Sequence, residues 1–224
     1  MAELILVAAS GLAREVLASV RASGTFEVAG YLDDDPALAG GQLDGIPVLG
    51  RISDATAYPG AMFVLCAGKG KTREKIATAL AKLGIGSVRY ASVVDLAAFV
   101  SAGSTVGAGS ILLANVVLTA DVRLGSHVVA MPNVTFTHDN HVDDFATLTA
   151  GVSLGGGVGI GRCAYVGMNA SVREGCAIGA GATVGMGSAV LQDVPDDECW
   201  VGVPAHRMPG GDRPHEKTSR NGKH

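Results

Sequence analysis

Two hydrophobic periods divide the chain. Over residues 1–90, short apolar runs alternate with helical spacing. ILVAA (5–9) reads as a buried strand. The Ser10-Gly11 turn then opens LAREVLASVRAS, whose Leu12, Val16 and Val20 share one helix face. FEVAGYLDD (26–34) predicts a second strand ending in two aspartates. GIPVLG (45–50) predicts a turn and a short apolar piece, and MFVLCAG (62–68) a third strand. KTREKIATALAKLG (71–84) is an amphipathic helix with Gly84 as its stop, and SVRYAS (87–92) is expected as a last strand. Strands alternating with helices imply a small parallel sheet, a Rossmann-like α/β unit over 1–92.

From Val100 the helical signal gives way to a repeat of six: VSAGST, VGAGSI, LLANVV, LTADVR, LGSHVV, AMPNVT, FTHDNH, and so on to VLQDVP. The first position is aliphatic or Phe in every hexad except the one starting at Ala130. The fifth is small or Val in nearly all, and seven second positions are Gly. Three short flat strands joined by tight turns make one triangular coil of eighteen residues, and coils stack about 4.8 Å apart. The first position then points inward, the small fifth fits the corner, and Gly relieves the turn. The period predicts a parallel β-helix of about five coils over 93–208. The polar segment 209–224 has no period and is expected to be disordered.

Composition narrows the function. Charged residues are 17% and aromatics 4%, the net charge is -4, and no aromatic–basic stripe appears, so nucleic acid is not an expected partner. MAELILVAASG lacks a basic n-region and a long apolar core, and no apolar run reaches membrane-span length, so a soluble cytoplasmic protein is expected. The four cysteines, Cys66, Cys163, Cys176 and Cys199, have no CxxC spacing. They read as small buried hydrophobes in a reducing compartment, with a catalytic thiol still open.

The repeat, with VGVPAHRM (201–208) after it, resembles the hexapeptide acyltransferases with left-handed β-helices. Preceded by VAASGLAREV, YLDDD and GIPVLG, it is similar to the sialic-acid O-acetyltransferase and bacterial sugar-nucleotide N-acetyltransferase family over about residues 3–208. That resemblance implies left-handedness, acetyl-CoA as donor, and homotrimers with sites between neighbouring β-helices. A flat aliphatic stretch such as LLANVVLTADV would also seek cover, which favours association.

Within FTHDNH, His138 takes the third position, outside the inward slot, and its coil neighbours are the small Ala120 and Gly156. An amine or hydroxyl attacking a thioester must lose a proton, and imidazole accepts one near neutral pH. The family's His-acid motif falls on His138-Asp139, implying a general base and its orienter. Adjacent residues on a flat strand face opposite ways, so the pair meets only across a turn or a subunit boundary. Backbone donors near Gly156 are candidates for the oxyanion. His141, three residues on, is a candidate acceptor contact, and His127 a turn or interface group. HDNHVDDF departs from the family's common HD-x-x-IGD-F, with Asp143 where Gly is usual. Thr147 stands where relatives often carry a histidine that in some touches the donor. Zinc of the carbonic anhydrase type needs a third histidine two coils away. Those positions hold Ala102, Glu174, Thr105 and Ala177, so no metal is expected.

By the resemblance, Gly156, Gly185 and Met186 belong to a Gly-rich wall for acetyl-CoA, made by residues 155–157 and 185–189. Arg207 or His206 would then meet phosphate. In the front unit, Ser10 and Gly11 open a helix whose N-terminus can hold phosphate. Asp33 and Asp34 end a strand where carboxylates can bind a ribose or base, and Lys69 and Lys71 add charge. Glycines at turns and polar groups on loops need no ligand, so these assignments carry structural alternatives. A phosphate-binding front unit favours N-acetylation of a nucleotide-linked amino sugar. O-acetylation of a sialic acid and a non-enzymatic sugar-nucleotide binding module are the other readings.

Overall fold

The computed structural model describes residues 1–208. The tail expected over 209–224 lies outside the described residues. The front unit is a sheet of order β3-β4-β2-β1-β5, with β1 Ala2–Val7, β2 Phe26–Leu32, β3 Gln42–Leu43, β4 Ile46–Gly50 and β5 Met62–Leu65. Helix α1 (Gly11–Ser23) starts at Ser10, whose Oγ accepts the Ala13 N–H at 3.2 Å. It ends at the left-handed Gly24 (φ 61°), and it buries Leu12, Val16, Leu17 and Val20. Helix α2 spans Gly70–Lys82.

One expectation for this unit is corrected. GIPVLG supplies the turn residue Gly45 and then a strand, β4, which pairs with β2 and closes a hairpin with β3. Asp44 (φ 52°) and Gly45 (φ 77°) make its two-residue turn, the left-handed Asp-Gly pair that a tight hairpin takes. SVRYAS is no strand: Ser87–Arg89 forms a 3₁₀ turn, and only Tyr90 bridges to Phe63. The Arg89 guanidinium donates to the carbonyls of Tyr58 and Ala61, and Tyr90 N–H closes the turn on Ser87 O at 3.1 Å.

The β-helix starts at Val93–Val94 and stacks three parallel sheets of six, five and eight strands, the largest ending in an antiparallel strand. Its pairings, such as Val117 with Thr135 and Arg123 with His141, join residues eighteen apart. The strands of the six-stranded sheet run from Phe99–Val100 to Ala189–Val190 at eighteen-residue steps, so five coils separate the first from the last. First and fifth positions fill the interior, among them Leu118, Phe136, Val142, Val116, Val134 and Ala146.

Glycine acts differently from the expectation. The left-handed turn residue is the fourth position, filled by Asn115, Asp121, His127, Asn133, Asp139, Phe145, Cys163 and Asn169 as well as by glycines. At the second position the constraint is close approach: a Cβ on Gly167 would come within 2.5 Å of Met186 N in the next coil, and one on Gly161 within 2.6 Å of Ala180 N.

The front unit covers one corner and one face of this prism. Ile111, Leu113 and Val129, on the eight-stranded sheet, share a core with Leu4, Leu6, Val16 and Val20. LLANVVLTADV is therefore no open apolar face: Leu112, Val116, Leu118 and Val122 point inward and Leu113 lies beneath the front unit. At the covered corner Arg73 of α2 is fully buried. Its guanidinium donates to Ala67 O and Gly68 O of its own unit and to His127 O, Phe145 O, Ala146 O and Thr147 Oγ1 of the β-helix, at 2.8–3.0 Å.

Candidate functional site

His138 lies at the corner that follows strand Thr135–Phe136 and precedes His141–Val142, between the six- and five-stranded sheets. Its side chain is 68% exposed. Asp139 takes the left-handed conformation (φ 61°), which folds its carboxylate back onto its neighbour, and His138 Nδ1 meets Asp139 Oδ2 at 2.7 Å. The pairing that a flat strand forbids is thus made within one chain by the turn. An ionised Asp139 accepts only, so Nδ1 carries the hydrogen and Nε2 is left with a lone pair. The ring lies against Gly156, where any Cβ would overlap Cε1 and Nε2. Gly157 N donates to His138 O at 2.9 Å, so the two coils are tied at this point. His141 projects from the adjacent five-stranded face, its Nε2 3.2 Å from Asp143 Oδ1.

The donor candidates divide. Gly156 is at the His138 corner. Gly185 and Met186 follow strand Thr183–Val184 at a different corner, between the eight- and six-stranded sheets. There exposed Met186 stands in the coil after exposed Met168, and Gly185 packs so closely on Val201 that a Cβ would lie 2.7 Å from its Cγ1. Arg207, in the last strand, holds Glu198 Oε1 at 3.2 Å, and His206 Nδ1 is 3.3 Å from Pro204 O. Residues 155–157 and 185–189 therefore lie on two different edges of one prism.

The front candidates gather at the carboxyl ends of β1, β2 and β5, where several have structural partners. Ser10 Oγ caps α1 and donates to Cys66 O at 2.6 Å. Asp33 accepts from Ala9 N at 2.7 Å and Asp35 N at 2.8 Å, and Asp34 accepts from Ile52 N at 3.0 Å. These bonds shape the loops, and the carboxylates retain lone pairs for a ligand. Gly11 has open space where a Cβ would be. Asp34 also lines a groove of about 920 Å³ with Arg51, Ser53, Lys75 and Lys82. Lys69 precedes α2, and Lys71 reaches across to Asp197 at 2.8 Å.

Thr147 is fully buried: its Oγ1 accepts from Arg73 and donates to Gly68 O at 3.0 Å. This position faces the front unit, and its hydroxyl is used up in these two bonds. His127 is an interface group, 5% exposed and packed between the rings of Tyr90 and Phe145. Burial, helped by the charge on Arg73, holds its pKa down to about 4. Burial pushes the Cys163 thiol up to about 11 and raises Cys66 as well, so neither is an activated nucleophile. Among the described residues, no group of three His, Cys, Asp or Glu side chains is placed to hold a metal ion, and no helix is long and apolar enough to cross a membrane.

An α/β unit leading into a left-handed parallel β-helix, with a His-Asp pair on an exposed edge, defines a hexapeptide-type acyltransferase architecture. The family model for the PglD N-terminal domain matches residues 3–80. The acetyltransferase domain of PglB from Neisseria gonorrhoeae, solved with acetyl coenzyme A, superposes with a TM-score of 0.84 at 27% identity, over 92% of this chain and 98% of that one. PerB from Caulobacter crescentus, solved with CoA and GDP-perosamine, gives 0.84 at 28% identity, over 93% and 98%. WeeI from Acinetobacter baumannii gives 0.71 at 26% identity, over 92% and 99%. A search of curated proteins found no match. The chain is a structural homologue of the hexapeptide-repeat, left-handed β-helix sugar-nucleotide N-acetyltransferases.

Proposed function

We propose that this protein transfers the acetyl group of acetyl-CoA to the amine of a nucleotide-linked amino sugar, with His138 as general base. The observation that carries the reading is the exposed His138–Asp139 pair set over Gly156, in a chain that matches acetyl-CoA- and nucleotide-sugar-bound enzymes along nearly its whole length. The amine nitrogen attacks the thioester carbonyl carbon, and its proton passes to His138 Nε2. Asp139 stabilises the imidazolium. The carbon–sulfur bond then breaks, and the proton returns from His138 to the departing thiolate. A positioned base of this kind contributes roughly 10²–10⁴-fold. Gly156 N–H is the donor assigned to the tetrahedral oxyanion. Ser10, Gly11, Asp33, Asp34 and Lys69 hold the nucleotide at the front sheet's edge, and His141 contacts the sugar.

The assembly assigned is a cytoplasmic homotrimer. Its support is the separation of the two edges: Gly185, Met186 and Arg207 of one copy complete the donor groove beside His138 of the next.

The test is thiol release from acetyl-CoA against a panel of nucleotide-linked amino sugars, with free sialic acid and acceptor-free blanks. Wild type should release thiol only with an amino-sugar nucleotide. His138→Ala should lose at least a hundredfold in kcat with an unchanged Tm, since the side chain is largely exposed. Release that survives this substitution would remove His138 as the base. Release with sialic acid alone would reassign the acceptor.

A further inference from the structure

Fifth positions point into the prism, and Val116, Val128, Val134, Ala146, Val152 and Val158 fill them with apolar groups. Polar residues at this position are Ser104, Ser110, Ser188 and Asn140, the largest of them. It is 1% exposed, immediately follows His138-Asp139, and its Oδ1 has no partner. Its Nδ2 donates to Gly155 O at 2.7 Å. A carbonyl only accepts, so the amide orientation is fixed by chemistry. On the other side of His138, Thr137 Oγ1 donates to Leu154 O at 2.9 Å. Two consecutive carbonyls of the next coil are thus gripped by the residues flanking the His-Asp pair. No acceptor among the described residues takes the Gly156 N–H.

We infer that Asn140 is a positioning residue that acts through the Gly155–Gly156 peptide. This inference rests on the transferase reading above. The carbonyl that Asn140 holds and the N–H of Gly156 belong to one peptide plane. A hydrogen bond to the first fixes the direction of the second and strengthens it as a donor. The oxyanion donor and the seat of the His138 ring are set together from inside the prism. The unpartnered Oδ1 is a standing cost that an apolar residue would not carry.

The chain contains its own control. Ser110, at the fifth position five hexads earlier, donates Oγ to Gly125 O at 2.9 Å, the same fifteen-residue offset as Asn140 to Gly155. A serine at this position therefore reaches the carbonyl.

The experiment compares Asn140→Val, Asn140→Ala and Asn140→Ser with wild type and His138→Ala. Losing one oxyanion donor outright costs about 10²–10³-fold, and misaligning one costs less. Val and Ala should lower kcat about tenfold, leave both KM values within about twofold, and leave the Val variant's Tm equal to or above wild type. Ser should stay within about threefold of wild-type kcat. In parallel, hydrogen exchange over residues 154–157 should speed up in Val and Ala but not in Ser, whatever the activity. A purely structural asparagine would lower Tm and spare kcat. Wild-type kcat in Asn140→Val, equal losses in Ser and Val, or unchanged exchange would each overturn the inference. An inactive wild type, or a fully active His138→Ala, would instead overturn the transferase reading, and exchange would still decide the role of Asn140.

Discussion

His138 and His127 occupy two corners of one repeat and share a neighbour of one kind. Each ring lies against a glycine one coil away, Gly156 in the coil after His138 and Gly109 in the coil before His127. Their fates differ completely. His138 is open to solvent and paired with Asp139. His127 is capped by Tyr90 and Phe145, and its Nδ1 has no hydrogen-bond partner. The repeat supplies the pocket at both corners. The front unit decides which corner becomes a reactive edge and which becomes a joint, because it covers only one.

The largest break of this comparison is Arg73→Ala. It removes the cation that ties Ala67 and Gly68 to the His127 corner and strands several buried carbonyls. Stability should fall by about 4 kcal/mol, a Tm loss of roughly 10 °C. Calorimetry should show the front unit melting ahead of the β-helix. A single transition at the wild-type temperature would show that the apolar face alone holds the joint.

The two glycines sharpen the contrast. Gly156→Ala should push the exposed His138 ring aside and lower kcat about thirtyfold while moving Tm by less than about 2 °C. Gly109→Ala has no free space to give: its φ is +74° and its neighbour ring is buried. Stability should fall by about 2 kcal/mol with kcat retained in the folded fraction. Matching effects at the two sites would dissolve the distinction between edge and joint.

The joint also carries a pH dependence. His127 titrates near 4 when folded and near 6.5 when unfolded. Above about pH 6.5 both states are neutral at this group, so it contributes no slope. Below that, only the unfolded chain gains the proton, so stability falls by up to about 1.4 kcal/mol per pH unit until about pH 4. His127→Asn, a residue type that Asn115, Asn133 and Asn169 already place in the same left-handed turn, should flatten Tm between pH 6.5 and 5. An unchanged slope would assign it to other groups.

Much of the fold was legible because both periods are strict. The six-residue repeat fixed which side chains point inward, and the eighteen-residue coil named Gly156 as the neighbour of His138. The Asp44-Gly45 hairpin is equally legible, an Asp-Gly pair ahead of an apolar run. SVRYAS is not legible, since an apolar-polar pattern carries no sign of the Tyr58 and Ala61 carbonyls that capture Arg89. In sequence Arg73 is one of several charges on an amphipathic helix. Its burial follows from the β-helix carbonyls it meets, which lie more than fifty residues away in sequence.

Local order, then, came from the sequence alone: short-range spacing sets which residues turn, which point inward and which stack eighteen apart, because those contacts obey the geometry of one repeat. The tertiary structure decided two things that no period encodes. It folded Asp139 back onto His138 through a left-handed turn. It buried His127 and Thr147 under α2 while leaving His138 exposed. Each depends on where the second unit docks or on a single backbone torsion, and both are settled by packing between segments distant in the chain.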